Sequence, residues 1–212
     1  MDRRQFSTGL ALGTAALCSP FAQAQNKPYE DGTDYISFDK PLPTEPKGKV
    51  EVIEFFWYSC PHCNNFEPSF DAWVKKQSKD VVVRRVPVAF RDNFVPQQRL
   101  FYALEAMGKL EAMHRKVFYA IHAEKQALDN EASIAAWIEK QGLDRKEFLA
   151  QYQSFGMNSK TARAKQLQQL YKVSGVPALA IGGRYYTDGS LAQNMERALL
   201  ITDHLVTKVR AA

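Results

Sequence analysis

The feature that most constrains the fold is an abrupt change of hydrophobic period near residue 60. Residues 50–58 read VEVIEFFWY, a dense apolar and aromatic run of the length of a buried strand. From Pro61 the period becomes helical, with Phe66, Phe70, Trp73 and Val74 on one face. Pro61 suits the first turn of that helix, and Pro68 in its interior is expected to kink it. A second strand-like run follows at residues 81–90. Strand, helix and strand in this order make a βαβ unit.

Beyond Asn93 the strand signals stop, and helical stripes run to about Lys172. Leu100, Phe101, Leu104 and Met107 form one stripe, ended by Gly108. Leu110, Met113, Val117, Ala120 and Ile121 form a second, and Ile134, Trp137 and Ile138 a third, stopped by Gly142. Asp144 and Glu147 stand at capping-box spacing before Phe148, Leu149 and Tyr152. A further helix is predicted to open near Asn158-Ser159. Strand character returns at Ala178–Ile181, then Gly182-Gly183 marks a two-residue hairpin turn before residues 185–187. The chain closes on a helix carrying Leu191, Met195, Leu199, Leu205 and Val209. Ahead of the first long strand, residues 25–49 are polar and Pro-rich, with a short strand expected around residues 35–38. The fold class is therefore α/β: a βαβ half and a ββα half separated by a helical block.

The first 24 residues read as an export signal. Arg3 and Arg4 open it, a weakly polar stretch runs from Gly9 to Leu17, and Ala22-Gln23-Ala24 supplies a small-x-small cleavage pattern. The stretch is well short of the roughly 20 apolar residues a spanning helix needs. Cleavage after Ala24 removes Cys18, so two cysteines remain, Cys60 and Cys63. The whole chain has 28 basic and 23 acidic residues, a net charge of +5 with no long Lys/Arg run, which gives no reason to expect nucleic acid. The expected division is 1–24 signal, 25–92 and 161–212 the two parts of one α/β domain, and 93–160 a helical insertion.

The chemistry lies at Ser59-Cys60-Pro61-His62-Cys63, where the buried strand meets the helix. Cys60 then sits at a helix N-terminus, where free backbone N–H groups and the positive end of the helix dipole stabilise an anion. A thiolate is the nucleophile of sulfur exchange, so this position favours reactivity. Two intervening residues in a helical turn bring Cys63 close enough for a small disulfide ring. A zinc site would need further ligands, and the chain has no second Cys pair and no H-x₃-H partner. A c-type haem would need His directly after the second cysteine, where Asn64 stands. A purely structural disulfide stays open, although so small a loop constrains the unfolded chain weakly.

Glu54-Phe55-Phe56-x₃-Cys60-Pro61-His62-Cys63-x₂-Phe66-Glu67-Pro68, with Gly175-Val176-Pro177-Ala178 far downstream, resembles the DsbA family of bacterial periplasmic thiol:disulfide oxidases. The likeness spans nearly all of the chain after residue 24. It implies a thioredoxin fold with a helical domain inserted between the N-terminal βαβ and C-terminal ββα halves. It also implies a cis Val176-Pro177 peptide facing the disulfide, with Val176 and Pro177 contacting substrate. In such a protein Cys60, Pro61, His62 and Cys63 form the redox motif, and no metal or organic cofactor is required. Glu54 corresponds to a buried acid that assists proton transfer at Cys63. The partners implied are reduced exported proteins and a membrane quinone reductase of the DsbB type that re-oxidises a monomeric enzyme in the periplasm.

Read without the resemblance, Glu54 is a lone carboxylate in an apolar strand that must find a partner or stay protonated. Arg85 on the next strand is the candidate partner. Glu67 is either a further charge near the site or a solvated helix-face residue. His114, His122 and His204 have no companion motif and read as surface or core histidines. Two rival functions fit the same fold. An isomerase or reductase would typically carry a longer N-terminal dimerisation domain and Thr where this chain has Val176. A non-redox binding module or chaperone would not need both cysteines together with Pro177 and His62.

Overall fold

The computed structural model describes residues 29–212, so the expected signal and its cleavage point lie outside the described residues. The elements in chain order are β1 (Ile36–Ser37), β2 (Val50–Phe56), α1 (Pro61–Lys75), β3 (Val81–Pro87), α2 (Val95–Ala106), α3 (Leu110–His122), α4 (Glu131–Lys140), α5 (Arg145–Tyr152), α6 (Phe155–Leu170), β4 (Ala178–Ile181), β5 (Tyr185–Asp188) and α7 (Met195–Arg210). A single turn of 3-10 helix, Asp92–Phe94, leads into α2. This is the thioredoxin fold with a helical insertion between its halves.

The five strands form one sheet in the order β1-β5-β4-β2-β3. β2 runs parallel to β3, as a helical crossover demands, and antiparallel to β4. With a neighbour on each edge and helices on both faces, β2 is buried at all seven positions, including Glu51 and Glu54. Its alternating side chains feed two cores. Val50 and Val52 meet Phe66, Phe70 and Trp73 of α1 and Leu199 and Leu205 of α7, whereas Ile53 and Phe55 face the core shared with the helical block. Burying each such aromatic or aliphatic side chain contributes about 1.5–3 kcal/mol. Trp73 Nε1 donates to Asp203 Oδ1 at 2.8 Å and ties α1 to α7.

Several boundaries differ from the sequence reading for local reasons. α6 opens at Phe155, not near Asn158-Ser159, because Ser154 caps it by accepting from the Met157 N–H at 3.2 Å. The expected division between residues 160 and 161 therefore falls inside α6. The first strand is only two residues long. The last helix begins at Met195, with Asn194 as its cap, so Leu191 precedes it. α1 is continuous through Pro68. Asp144 does cap α5, accepting from the Glu147 N–H at 2.7 Å.

The turn after β4 includes Arg184 as well as the two glycines, and Arg184 N–H donates to the Ile181 carbonyl at 3.0 Å. Gly182 and Gly183 both have positive φ, +58° and +65°. At Gly183 a Cβ would also lie 2.3 Å from the Leu42 carbonyl oxygen, so the residues before β2 pack directly on this turn.

Candidate functional site

The site begins where β2 ends. After Phe56 the chain turns through Trp57, Tyr58 and Ser59, and α1 starts at Pro61 with Cys60 as its N-cap (φ −78°, ψ 117°). Proline at the first helical position lacks the N–H that would have no intrahelical acceptor there anyway. Cys60 and Cys63 are both free thiols. The backbone N–H of Cys63 donates to Cys60 Sγ at 3.4 Å, the bond an N-capping side chain makes. The Cys60 thiol in turn reaches the Val176 carbonyl at 3.4 Å. The Val176-Pro177 peptide is cis and leads directly into β4, which pairs with β2; this brings the distant segment against the motif.

The two thiols differ in chemistry. Cys60 has its pKa lowered to about 6. The Cys63 side chain contributes most, the backbone N–H groups of Cys63 and His62 and the charge of His62 add to it, and burial opposes it. Cys63 is fully buried, and burial followed by its neighbour Cys60 pushes its pKa well up. His62 is exposed, next to a cavity of about 480 Å³ bounded by Phe66 of α1, by Val176-Pro177 and by the segment from Asp188 to Glu196. The pair thus offers one nucleophilic sulfur, 7% exposed at the helix terminus, and a second, 0% exposed, held protonated behind it.

A cluster of charges lies under the motif. The β2–β3 register places Glu54 opposite Arg85. Arg85 Nε donates to Glu54 Oε2 at 3.1 Å and to Glu67 Oε1 at 3.2 Å, and its terminal nitrogen reaches Glu67 Oε2 at 3.1 Å and also Asp71. Glu54 and Glu67 are both completely buried. Burial holds the Glu54 carboxyl well above the ordinary range, the Glu67 charge adds to this, and Arg85 opposes it. Burial also acts to raise Glu67, but His114 and Arg85 outweigh it and its pKa is lowered. The charge on Glu54 bears on Cys63, raising its pKa further. Arg85 is thus the partner of Glu54, and Glu67 is a buried charge, not a solvated helix-face residue.

The insertion adds contacts that the local motif does not announce. Gln97 of α2 clamps the motif, with Nε2 donating to Ser59 Oγ at 2.6 Å and Oε1 accepting from the Ser59 N–H at 3.2 Å. His122 Nε2 bonds the Tyr58 carbonyl at 2.8 Å. His114, 4% exposed, bonds Tyr58 Oη and Glu67, so this core histidine belongs to the charged cluster. Helical phase offers a signal for it: His114 lies four residues after Leu110 and three before Val117, on the apolar stripe. Trp57 stacks on Phe94 at 3.7 Å between ring centroids. Among the described residues no three His, Cys, Asp or Glu side chains converge as metal ligands.

Comparison with known proteins places this arrangement. Residues 85–200 match the family described as DSBA-like thioredoxin domain. The chain is 40% identical over 205 residues to the thiol:disulfide interchange protein DsbA of Burkholderia cepacia, covering 96% of this chain and 93% of that protein. It is 37% identical over 201 residues to the protein of the same name from Pseudomonas aeruginosa, covering 95% of this chain and 94% of the relative. The crystal structure of Pseudomonas aeruginosa DsbA superposes with a TM-score of 0.83 at 37% identity, over 86% of this chain and 95% of that one. The oxidoreductase DsbA from Xylella fastidiosa gives 0.80 at 30% identity, over 86% and 98%. With a matched domain across more than half of its length and relatives that similar along nearly all of it, the chain belongs to the DsbA family of thiol:disulfide oxidoreductases.

Proposed function

We propose that this oxidoreductase works as an oxidase in the periplasm, donating a Cys60–Cys63 disulfide to reduced exported proteins, after removal of residues 1–24. The observation that carries the proposal is the asymmetry of the two thiols: Cys60 caps a helix, with its pKa lowered and its neighbours His62 and Val176 lining the cavity, whereas the wholly buried Cys63 has its pKa raised. A thiolate exists only in the reduced protein. Whatever stabilises it favours the dithiol and makes the disulfide a stronger oxidant.

In the forward reaction a substrate thiolate attacks Cys60 Sγ of the oxidised protein. A mixed disulfide forms, the Cys60–Cys63 bond breaks, and Cys63 leaves with the electron pair and takes up a proton. Glu54 is the buried acid suited to supply that proton. A second substrate thiolate then attacks the substrate sulfur of the mixed disulfide, and Cys60 departs as a thiolate. Two electrons pass from substrate to enzyme. The low Cys60 pKa makes it a good leaving group in this step.

Pro61 sets the first turn of α1, and His62 supplies charge beside Cys60. Val176 and Pro177 present backbone to an extended substrate lying along the cavity. The redox-active disulfide serves without a metal or organic cofactor. The monomeric enzyme is re-oxidised by a membrane quinone reductase of the DsbB type.

Equilibration with glutathione buffers of known ratio tests the direction of transfer. An oxidase keeps its dithiol at ratios where most structural disulfides are already oxidised. A Cys63→Ala variant incubated with a reduced, dye-labelled peptide and a mild oxidant should trap the peptide on Cys60. A disulfide that resists reduction as strongly as a structural one would assign the chain to reductase chemistry instead.

A further inference from the structure

Two buried carboxyls, Glu54 of β2 and Glu67 of α1, share one guanidinium, with Asp71 at the edge of the cluster. Three carboxylates around one Arg charge would leave uncompensated negative charge in a site shielded from water. Retaining one proton relieves this. Hydrogen bonding shows which group keeps it. Glu67 receives two bonds from Arg85 and lies 3.0 Å from His114 Nε2, whereas Glu54 receives one bond and its Oε1 has no hydrogen-bond partner.

The third contact to Glu67 depends on the His114 tautomer. His114 Nδ1 is 2.8 Å from Tyr58 Oη. Tyr58 is fully buried, and burial holds its phenol un-ionised, so it has an O–H to donate. Nδ1 therefore accepts, and the ring proton lies on Nε2, aimed at Glu67. Burial also keeps the imidazole neutral, against the pull of Glu67. The ring is enclosed by Phe56 of β2, Phe101 of α2 and Phe118 of its own helix. The charged and titratable groups facing it are Tyr58, Glu67 and Asp71, with Arg85 from β3.

We propose that His114, oriented by Tyr58, is a positioning residue that decides which buried carboxyl holds the proton: by donating to Glu67 it keeps Glu67 as the anion and leaves the proton on Glu54. The mechanistic consequence rests on the reading of Cys63 as the thiol that takes up a proton, since Glu54 is the carboxyl whose charge bears on Cys63. The insertion thereby sets the proton inventory of a cluster that belongs to the thioredoxin core.

The test is spectroscopic, so it stands apart from the direction of disulfide transfer. ¹⁵N NMR of the wild-type, histidine-labelled protein should show His114 locked with Nε2 protonated and Nδ1 bare; an Nδ1–H tautomer, or an imidazolium at pH 7, overturns the proposal without any variant. ¹³C-glutamate labelling should show one protonated carboxyl at pH 7, lost in Glu54→Gln. In His114→Leu that protonated signal should survive the Glu54→Gln change, because Glu67 has lost its donor and takes the proton. In His114→Gln, whose side-chain amide can donate in place of Nε2–H, Glu54→Gln should again abolish it. If His114→Leu does not fold, Tyr58→Phe keeps the ring packing and removes only the Oη donor; the Nδ1 resonance should then move to that of a nitrogen accepting no hydrogen bond, with the proton still on Nε2 facing Glu67. A protonated signal that stays wholly on Glu54 in His114→Leu, or an Nδ1 resonance that Tyr58→Phe leaves unmoved, assigns His114 to packing alone.

Discussion

The backbone N–H of Cys63 points at Cys60 Sγ across 3.4 Å, so each cysteine of the motif alters the chemistry of the other. Cys63 stabilises a thiolate at position 60, and the charge that forms there makes ionisation of the buried Cys63 harder. Alkylation of the reduced protein should therefore be confined to Cys60. Its rate should rise through a midpoint near pH 6, where a free thiol would show one near 8.5. Site mapping by mass spectrometry against pH checks this, and comparable modification of Cys63 in the folded protein would refute the assignment of the attacking sulfur.

The same shift fixes how stability depends on pH. The folded pKa of Cys60 is depressed, so the stability it gives the dithiol form is complete above the unfolded pKa and is lost as pH falls through about 6. Between those limits each unit is worth about 1.4 kcal/mol. The advantage of the reduced over the oxidised protein in chemical denaturation should thus shrink between pH 8.5 and pH 6 and level off below. A difference that does not vary with pH across this window would mean the thiolate is not the source of the redox bias.

Removing Arg85 should cost more than removing either buried carboxyl. Arg85→Met leaves Glu54 and Glu67 without their shared cation, and stripping one partner from a buried ion pair typically costs about 3–5 kcal/mol. Adding Glu67→Gln to Arg85→Met should restore part of the loss, because the stranded anion is gone. Urea denaturation of the single and double variants measures the coupling; strictly additive losses would show that the pair is not coupled in the fold.

Gly183→Ala should destabilise the protein by about 1–3 kcal/mol from the left-handed backbone alone, with the Leu42 contact adding to it. Gly175, whose neighbourhood is open and whose φ is not positive, should tolerate alanine far better. Thermal melts of the two variants make the comparison. Equal losses would mean that the turn relaxes away from Leu42.

Much of the fold could be read from the chain because its signals are local. The period change at residue 60 places β2 and α1 correctly, and Asp144 with Glu147 marks the start of α5. The cap at Ser154 has no such signal, because Phe155, 86% exposed, breaks the apolar stripe where the helix begins. Of the site, the Cys60–Cys63 motif and the Glu54–Arg85 pairing follow from short spacings and strand adjacency. Glu67 and His114 are harder. Each is one polar residue on an otherwise ordinary helix, and only the packing of α3 against α1, which no short window encodes, seals both from water.

The bond between the Cys60 thiol and the Val176 carbonyl joins residues 116 positions apart. A polypeptide made N-terminus first presents both cysteines of the motif long before the carbonyl that will sit over Cys60 has been synthesised. The motif is thus an early product of synthesis, and the finished site a late one, completed when β4 closes against β2. Until then Cys60 and Cys63 are two thiols on a growing chain that still lacks the carbonyl with which Cys60 will bond.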